Sequence, residues 1–262
     1  MNAILTATLV IGAVGILVGI ALVYIGNKFH VEIDERESAV REVLPGNNCG
    51  ACGYAGCDAM AAAIISGDAP SSGCPVGGAP VTAKINEIMG TSTEAAARKV
   101  AFVRCNGSCE HTAVHNNYVG MKDCRAVALS GMYPWDCDYG CLGYGSCASV
   151  CPQNAIRIVD GVAVIDAEAC VGCGLCVKEC PKHLIELAPY GQKTFVRCMN
   201  KDKGKDVKAA CSVGCIGCRL CTKQCGTGAI TVEDNLARID YSLCENCGKC
   251  AEKCPQKTIT AM

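Results

Sequence analysis

Residues 170–181 read CVGCGLCVKECP, and residues 244–255 repeat the same spacing as CENCGKCAEKCP. A third stretch, CIGCRLCTKQCG at residues 215–226, keeps the C-x2-C-x2-C-x3-C spacing with glycine in place of the final proline. The 262-residue chain has 25 cysteines, an odd number that a complete set of disulfides would not give. We therefore expect these cysteines to be thiolate ligands in a reducing compartment.

This spacing is the ligand run of bacterial ferredoxins, which holds [4Fe–4S] clusters. Three thiolates on one tight loop reach three corners of a cubane. We expect the fourth cysteine to begin a short helix that points away and to bind a neighbouring cluster. Zinc sites also use C-x2-C pairs, but they usually separate two pairs by a long spacer. The runs therefore predict pairs of clusters that exchange one ligand.

The remaining composition favours a fold held together by metal rather than by a large apolar core. Aromatic residues make up 5% of the chain, with one Trp, whereas there are 29 Gly, which suit tight turns around compact groups. The 24 basic and 25 acidic residues give a net charge of −1. Because nucleic-acid binding needs a concentrated basic surface, we expect no nucleic-acid partner.

Residues 137–151 align without gaps on residues 211–225, so the chain contains a repeat. In this alignment Tyr144 stands where the second unit has Cys218. The first unit has thus lost one ligand, and Cys137 is its nearest replacement in the sequence. The letters FVRC also occur twice, which predicts a duplicated unit running from about residue 101 to 189 and again from 191 to the C-terminus.

The two units are predicted to hold four clusters, each with three local ligands and one from the partner run. The predicted sets are Cys137, Cys141, Cys147 with Cys180; Cys170, Cys173, Cys176 with Cys151; Cys215, Cys218, Cys221 with Cys254; and Cys244, Cys247, Cys250 with Cys225. Alternating apolar residues flank Asp160-Gly161 and Asp234-Asn235, which favour hairpin turns. Each unit is therefore predicted to be a small α+β module with two short helices and two hairpins.

The first four cysteines follow a different pattern, which begins with CGACGYAGC at residues 49–57. Its glycines let backbone amides approach an anionic cluster closely. The pattern predicts a single [4Fe–4S] cluster, with zinc as the alternative; the ligands are Cys49, Cys52, Cys57 and Cys74. Helices are predicted over 58–65, 81–89 and 94–100, with Gly67 and Gly90 ending the first two.

Five cysteines have no place in these runs, namely Cys105, Cys109, Cys124, Cys198 and Cys211. Three interpretations stay open. They are spare thiols left by the duplication, or they form a sixth cluster from the first three plus one of the others. Alternatively, Cys109 forms a zinc site with His111 and His115. The chain is thus expected to bind at least five [4Fe–4S] clusters, and six if the second interpretation holds.

Residues 3–26 are apolar except for two threonines and are long enough to cross a bilayer. No Lys or Arg precedes them, and no A-x-A cleavage site follows, so a retained anchor is expected rather than a signal peptide. Lys28, Arg36 and Arg41 all follow the span. The positive-inside rule therefore predicts a single-pass anchor with the iron–sulfur body on the cytoplasmic side.

The sequence contains no nucleophile–base motif, no Walker loop and no G-x-G-x-x-G fingerprint, so we expect no catalytic residue on this chain. Fully ligated clusters in series instead predict electron transfer. Bound clusters are anionic, and an acidic redox partner such as ferredoxin would need a basic landing site. The segment with Lys201, Lys203, Lys205 and Lys208 is the candidate; the alternative is an ordinary solvated loop.

The order of these elements resembles the Rnf complex's B subunits, over essentially the whole chain. The resemblance rests on the N-terminal anchor, CGACGYAGC, CLGYGSCASVCP at residues 141–152 and the repeated ferredoxin runs. It implies a protein that takes electrons from soluble ferredoxin and passes them to membrane, flavin and iron–sulfur subunits that reduce NAD⁺, coupled to Na⁺ or H⁺ transport. The second module, from about residue 194, is an extension that shorter members of this family lack.

The resulting prediction is an α+β chain of small iron–sulfur domains. It comprises a transmembrane anchor at 1–27, a single-cluster domain at 28–90, a cysteine-containing connector at 91–132, and two-cluster ferredoxin-like modules at 133–190 and 191–262. Two further functions remain as alternatives: a membrane-anchored polyferredoxin that serves another reductase, and a metal-stabilised scaffold without a redox role.

Overall fold

The computed structural model describes residues 2–28 and 34–261. An N-terminal helix, α1 (Asn2–Lys28), precedes a small helical domain made of α2 (Glu35–Val43), α3 (Cys57–Ser66) and α4 (Gly78–Met89). Within α1, Thr8–Gly26 is long and apolar enough to cross a membrane, and none of that span is buried against the rest of the described chain. The residues just after the expected anchor boundary at 27/28, 29–33, lie outside the described residues.

The helical domain has its own apolar core, in which Val40, Met60, Ile64 and Ile85 are buried. The sequence predicted α3 and α4 and the glycines that end them, although α4 begins at Gly78 rather than at Val81. Gly67 and Gly90 cap these helices in the left-handed conformation, which glycine adopts without steric cost.

Two modules of matching order follow. The first contains β1 (Lys99–Val103), α5 (Cys124–Ser130), α6 (Ser146–Ser149), β2 (Ile156–Val159), β3 (Val162–Ile165), α7 (Leu175–Glu179) and β4 (Ile185–Pro189). The second contains β5 (Thr194–Val196), α8 (Gly204–Ala210), α9 (Leu220–Gln224), β6 (Ile230–Glu233), β7 (Leu236–Ile239), α10 (Lys249–Glu252) and β8 (Ile259–Ala261).

Each module has one of its two predicted hairpins, the one with the turn that the sequence indicated. Strands β2 and β3 pair through Ile158↔Ala163, and β6 and β7 pair through Val232↔Ala237. The turn residues Asp160 and Gly161 both have positive φ, as a two-residue turn of this kind requires.

The second sheet of each module is not a hairpin, which corrects the prediction. It joins the first and last strands of the module: β1 pairs antiparallel with β4, and β5 with β8. The predicted helix over 94–100 is also wrong. Residues 91–98 are irregular and β1 starts at Lys99, because Val100 and its neighbours bury their side chains in the module core rather than along a helix face. The first module therefore begins inside the predicted connector at 91–132.

The two modules contact each other through equivalent phenylalanines. The rings of Phe102 on β1 and Phe195 on β5 lie 4.6 Å apart, and both are buried with Ala188. The Tyr241 ring meets Phe102 edge-on at 5.8 Å. Offset and edge-on contacts between aromatic rings contribute about 0.5–1.5 kcal/mol beyond their buried area. The repeated FVRC segment is thus a contact between modules as well as a strand within each one.

Candidate cluster-binding sites

The N-terminal site is built on the start of α3. Cys57 is the first residue of this helix, and its backbone N–H donates to the Asn48 side chain at 2.8 Å. Cys52, Cys57 and Cys74 pack against the core of the helical domain. Burial raises the pKa of the Cys74 thiol, and the nearby Cys52 and Cys57 thiols add to this effect. These three predicted ligands are therefore neighbours in space, although Cys52 is far from Cys74 in the sequence.

In the first module, Cys141, Cys147 and Cys180 line one cavity, as predicted. The fourth cysteine in that cavity is Cys124, which we did not assign to this site. Cys137, which we expected there, lines a different cavity. The physical reason is a tight turn before Cys141, in which the Gly140 N–H bonds the Cys137 carbonyl at 3.0 Å, and this turn directs Cys137 to the other side.

Cys124 is held in place by the cap of α5. Asp123 accepts from the N–H groups of Arg125 and Ala126 at the start of this helix. Its other carboxylate oxygen accepts from the Ser146 hydroxyl, whose oxygen accepts in turn from the Cys124 N–H at 2.8 Å. Because Ser146 is the first residue of α6, this network fixes Cys124 beside Cys147.

A sequence signal for this exchange exists. Cys137 aligns on Cys211, and the second module has four run cysteines without using Cys211. The ligand that replaces the one missing at Tyr144 is therefore expected outside the aligned residues 137–151. Cys124 is a cysteine that meets this condition.

The other cavities contain the predicted sets. One is lined by Cys151, Cys170, Cys173 and Cys176, a second by Cys215, Cys218, Cys221 and Cys254, and a third by Cys225, Cys244, Cys247 and Cys250. In each, the fourth cysteine comes from the partner run. The fourth cysteine does not begin a helix, however, as Cys180 shows by capping the C-terminal end of α7 while Cys176 lies inside it.

The lining groups suit thiolate clusters. The N–H groups of Ala155 and Leu184 point at the sulfurs of Cys151 and Cys180, each at 3.4 Å, and these two contacts occupy equivalent positions in the paired runs. Among the described residues, two buried side-chain atoms have no hydrogen-bond partner, Trp135 Nε1 and Thr194 Oγ1. Both residues line cysteine cavities, where a sulfide or thiolate of a bound cluster would accept their hydrogens.

These cavities differ from single-ion sites. In the part of the chain that the structure describes, no three His, Cys, Asp or Glu side chains converge closely enough to hold one metal ion. Zinc needs four ligand atoms within about 2.3 Å of one point. The thiols of a cubane lie farther apart, since each binds a different iron, and this arrangement matches the cysteine-lined cavities.

Comparison with known proteins identifies iron–sulfur domains in three stretches of the chain. A family model described as a putative Fe–S cluster matches residues 44–76, and a 4Fe–4S dicluster domain matches residues 136–184 and 214–258. The chain is 45% identical to the B subunit of the Na⁺-translocating ferredoxin:NAD⁺ oxidoreductase complex of Acetobacterium woodii, over 99% of this chain and 78% of that protein.

Two further relatives cover both chains almost completely. The B subunit of the proton-translocating ferredoxin:NAD⁺ oxidoreductase complex of Clostridium ljungdahlii is 42% identical over 100% of this chain and 94% of its own. The B subunit of an ion-translocating oxidoreductase complex of Methanosarcina acetivorans is 39% identical over 98% of each. The chain belongs to the family of Rnf B subunits.

Burial opposes ionisation of several thiols in this member of the Rnf family before they bind metal. Burial raises the pKa of Cys147 and of Cys176 to about 12, and that of Cys221 to about 11. Since iron binds thiolates, cluster assembly at neutral pH must displace these protons.

The zinc alternative for the histidines finds no support. His111 Nδ1 lies 2.9 Å from the Ser212 hydroxyl, and His115 Nδ1 lies 2.9 Å from the Asp136 carboxylate. Cys109 is exposed and lines none of the five cavities described here, so these side chains do not form one ligand set.

The candidate landing site for ferredoxin lies on and before α8. Lys201, Lys203, Lys205 and Lys208 are all exposed. The Lys201 ammonium lies 3.3 Å from Asp234, while the buried face of the helix, through Val207, lines the cavity that contains Cys137. Helix α8, which contains Lys205 and Lys208, therefore lies against one of the cysteine cavities.

Proposed function

We propose that this chain is the electron-transfer component of a membrane-bound, ion-translocating ferredoxin:NAD⁺ oxidoreductase. In this role it takes electrons from reduced ferredoxin and passes them through [4Fe–4S] clusters to membrane subunits, coupled to Na⁺ or H⁺ transport. Membership in the family of Rnf B subunits supports the assignment. The observation that carries it is that complete sets of four cysteines lie in adjacent pairs.

For four of the five clusters the proposed ligands share a cavity, and for the N-terminal cluster Cys52, Cys57 and Cys74 pack against one core while Cys49 is included from the sequence pattern. The five sets are Cys49, Cys52, Cys57, Cys74; Cys124, Cys141, Cys147, Cys180; Cys151, Cys170, Cys173, Cys176; Cys215, Cys218, Cys221, Cys254; and Cys225, Cys244, Cys247, Cys250. When bound, such clusters accept and release single electrons.

One turn of helix connects neighbouring sites in each module. Helix α7 joins Cys176 of one site to Cys180 of the next, and α6 joins Cys147 to Cys151 in the opposite direction. A short helix fixes the separation of the two sulfurs that it joins. Two clusters held in this way stay close together, which is what passage of an electron between them requires.

The N-terminal site adjoins the first module. Burial raises the pKa of the Cys173 thiol, and the charges of Cys151 and Cys49 contribute to the shift. Cys49 is therefore near enough to Cys173 to affect it electrostatically. This proximity supports a path from the first module to the helical domain, which follows directly on α1 in the sequence.

The proposed location is the cytoplasmic membrane, with α1 as a single-pass anchor and the iron–sulfur body on the cytoplasmic side. The apolar span in α1 and the basic residues after it, Lys28, Arg36 and Arg41, support this orientation. In this orientation a soluble cytoplasmic electron donor has direct access to the iron–sulfur body.

Soluble ferredoxin is the proposed electron donor, and the lysines around α8 are its proposed docking site. The triple variant Lys203→Glu, Lys205→Glu and Lys208→Glu in the intact complex should raise KM for ferredoxin several-fold, because attraction becomes repulsion. Electron transfer from dithionite should be unaffected. An unchanged KM at low ionic strength would exclude this docking site.

The whole assignment is tested by anaerobic purification of the complex from membranes through a tag on this chain. Flavin-containing and integral membrane subunits should copurify, and the preparation should reduce NAD⁺ with reduced ferredoxin. Cys176→Ser should abolish this activity, whereas Cys109→Ser, at an exposed cysteine outside the proposed sets, should retain it. Isolation of an iron-rich chain without such partners would favour the polyferredoxin alternative. A chain that contains no iron would favour the alternative of a scaffold without a redox role.

A further inference from the structure

One cavity lies between the two modules and is lined by four cysteines that none of the five sets uses. They are Cys105, Cys137, Cys198 and Cys211. Cys105 and Cys198 end the two FVRC segments, and Cys137 and Cys211 are equivalent in the repeat alignment. Each module thus contributes the same two positions. The set is related by the approximate symmetry of the duplication, as expected for a site on the axis between two repeats.

This cavity matches three of the four cluster cavities of the modules in size. Its free space, open solvent included, is about 430 Å³, compared with about 400, 360 and 340 Å³ for those three and about 830 Å³ for the fourth. Gly107 lies directly against two of the sulfurs. A methyl group at this glycine would come within 3.2 Å of Cys211 Sγ and 3.8 Å of Cys105 Sγ. The absence of a side chain at Gly107 therefore leaves space beside these two sulfurs.

Donors for an anionic group surround the cavity. Asn200 is 2% exposed; its backbone N–H donates to Cys198 Sγ at 3.4 Å, and its side-chain amide lies 3.6 Å from Cys137 Sγ. Trp135, whose buried Nε1 has no acceptor among the described residues, lines the same cavity. A buried donor without an acceptor is rare in folded proteins, and a bound sulfide would provide one.

Positive charge is also close. Arg104 and Arg197 precede the two FVRC cysteines, and both line the cavity. Arg104 is buried and pairs with Glu186 at 2.7 Å, while the Arg197 Nε donates to the Thr260 hydroxyl at 3.0 Å. Two guanidinium groups therefore lie at the cavity wall, where positive charge attracts an anionic ligand.

We propose that Cys105, Cys137, Cys198 and Cys211 bind a sixth [4Fe–4S] cluster at the interface between the two modules. The proposal rests on the proposed function only in its assumption that the other sets hold such clusters. This ligand set differs from the one that the sequence suggested for a sixth cluster. Cys124 lies with Cys141, Cys147 and Cys180 in another cavity, and Cys109 belongs to no set.

The position of this site gives it a role in connecting the modules. The Cys141 N–H donates to Cys105 Sγ and the Cys215 N–H donates to Cys198 Sγ, each at 3.4 Å. Cys141 and Cys215 are themselves proposed ligands of the nearest cluster in each module. The interface site therefore touches both modules at equivalent points.

The first test is the iron, sulfide and zinc content of the full-length chain purified anaerobically. Six clusters require about 24 irons per chain and five require about 20. The Cys211→Ala variant should lose about four irons, and the exposed-cysteine control Cys109→Ala should lose none. About 20 irons in the wild-type chain, or zinc in place of the missing iron, would overturn the sixth cluster and leave the proposed function intact. A wild-type chain without iron would overturn both.

Two milder variants keep the test decisive if Cys211→Ala does not fold. Asn200→Leu removes the side-chain donor to Cys137, so it should shift one EPR signal to a lower midpoint potential without changing the iron content. Gly107→Ala should reduce the occupancy of the same signal. The matched control is Gly191→Ala, whose added methyl would contact nothing within 4 Å. If neither variant changes a signal, the interface site does not hold a cluster.

Discussion

Tyr144 and Cys124 show, at the scale of single residues, how a lost ligand is replaced from elsewhere in the chain. The Tyr144 ring lies edge-on to Tyr118 at 5.8 Å and packs in one apolar cluster with Cys124. The backbone around it nevertheless keeps the ferredoxin conformation. Gly143 and Gly145 have positive φ, as do Gly217 and Arg219 on either side of the equivalent Cys218.

Because this loop conformation is retained, a cysteine at position 144 should be able to act as a ligand. Cys124→Ala should therefore lose the iron of one cluster, about four per chain, and the double variant Cys124→Ala, Tyr144→Cys should recover it. Anaerobic iron analysis with EPR measures both. Failure of the double variant to bind more iron than Cys124→Ala would show that the loop is not equivalent to its counterpart in the second module.

The Asp123 cap should matter to the same cluster, although Asp123 is not a ligand. Asp123→Ala removes the N-cap of α5, which costs about 1 kcal/mol, and releases the Ser146 hydroxyl that holds the Cys124 backbone. We expect faster loss of that cluster to an iron chelator, measured as bleaching of the visible absorbance. Glu110→Ala, at an exposed residue of the same segment, is the control. If Asp123→Ala and Glu110→Ala bleach at the same rate, the Asp123 cap does not contribute to retention of the cluster.

At the scale of elements, each module depends on strands and turns too short to be stable alone. The β2–β3 hairpin has four residues in each strand, and isolated hairpins of this size are marginal in water. Its turn packs against the loops that hold the clusters. A methyl group at Gly161 would lie 2.7 Å from the Trp135 ring, and one at Gly143 would lie 2.8 Å from the Gly161 carbonyl oxygen.

Gly161→Ala should therefore destabilise the first module in two ways. It would place a non-glycine residue at φ +79°, at a cost of about 1–2 kcal/mol, and it would force the Trp135 ring to move. We expect cluster absorbance to be lost at a lower guanidinium concentration than in the wild type. Gly191→Ala should leave the midpoint unchanged. A Gly161→Ala midpoint equal to that of the control would show that the turn is not under this constraint.

At the scale of the whole molecule, the ligand sites share one chain with the long apolar helix α1. The modules contact each other through Phe102 and Phe195, and hydrogen bonds cross the same interface, including Thr112 Oγ1 to the Ala210 carbonyl at 2.8 Å and the Ser212 N–H to the His111 carbonyl at 2.9 Å. Phe102 and Phe195 occupy equivalent positions in the two copies of the duplicated unit, so the interface joins matching surfaces of the modules. The two modules therefore form one electron-transfer body rather than two independent ferredoxins.

Removal of residues 1–28 should release this body from the membrane, because the span Thr8–Gly26 has a mean hydropathy of 2.6 and is the anchor that we propose. The truncated chain should move to the soluble fraction with its iron content unchanged. In inverted vesicles, the body of the full-length chain should be accessible to protease. A truncated chain that stays in membranes prepared without the other subunits would show a second mode of attachment.

The sequence by itself determined the chemistry and much of the architecture. Ligand runs are local in the chain, so their spacing fixes which thiols can face one cluster. The turns at Asp160-Gly161 and Asp234-Asn235 are local too, since positive φ at two successive residues selects the hairpin. The duplication was also visible directly, because its two copies have kept their cysteine spacing.

Only the tertiary structure decided what depends on distant segments meeting. It showed that β1 completes a sheet with β4, that Cys124 rather than Cys137 joins Cys141, and that Cys137 faces Cys198 across the module interface. No local pattern specifies these contacts, because they arise when buried faces of separate segments pack together. The duplicated modules could meet in many ways; in this structure Phe102 packs on Phe195, and Cys105, Cys137, Cys198 and Cys211 meet around one cavity.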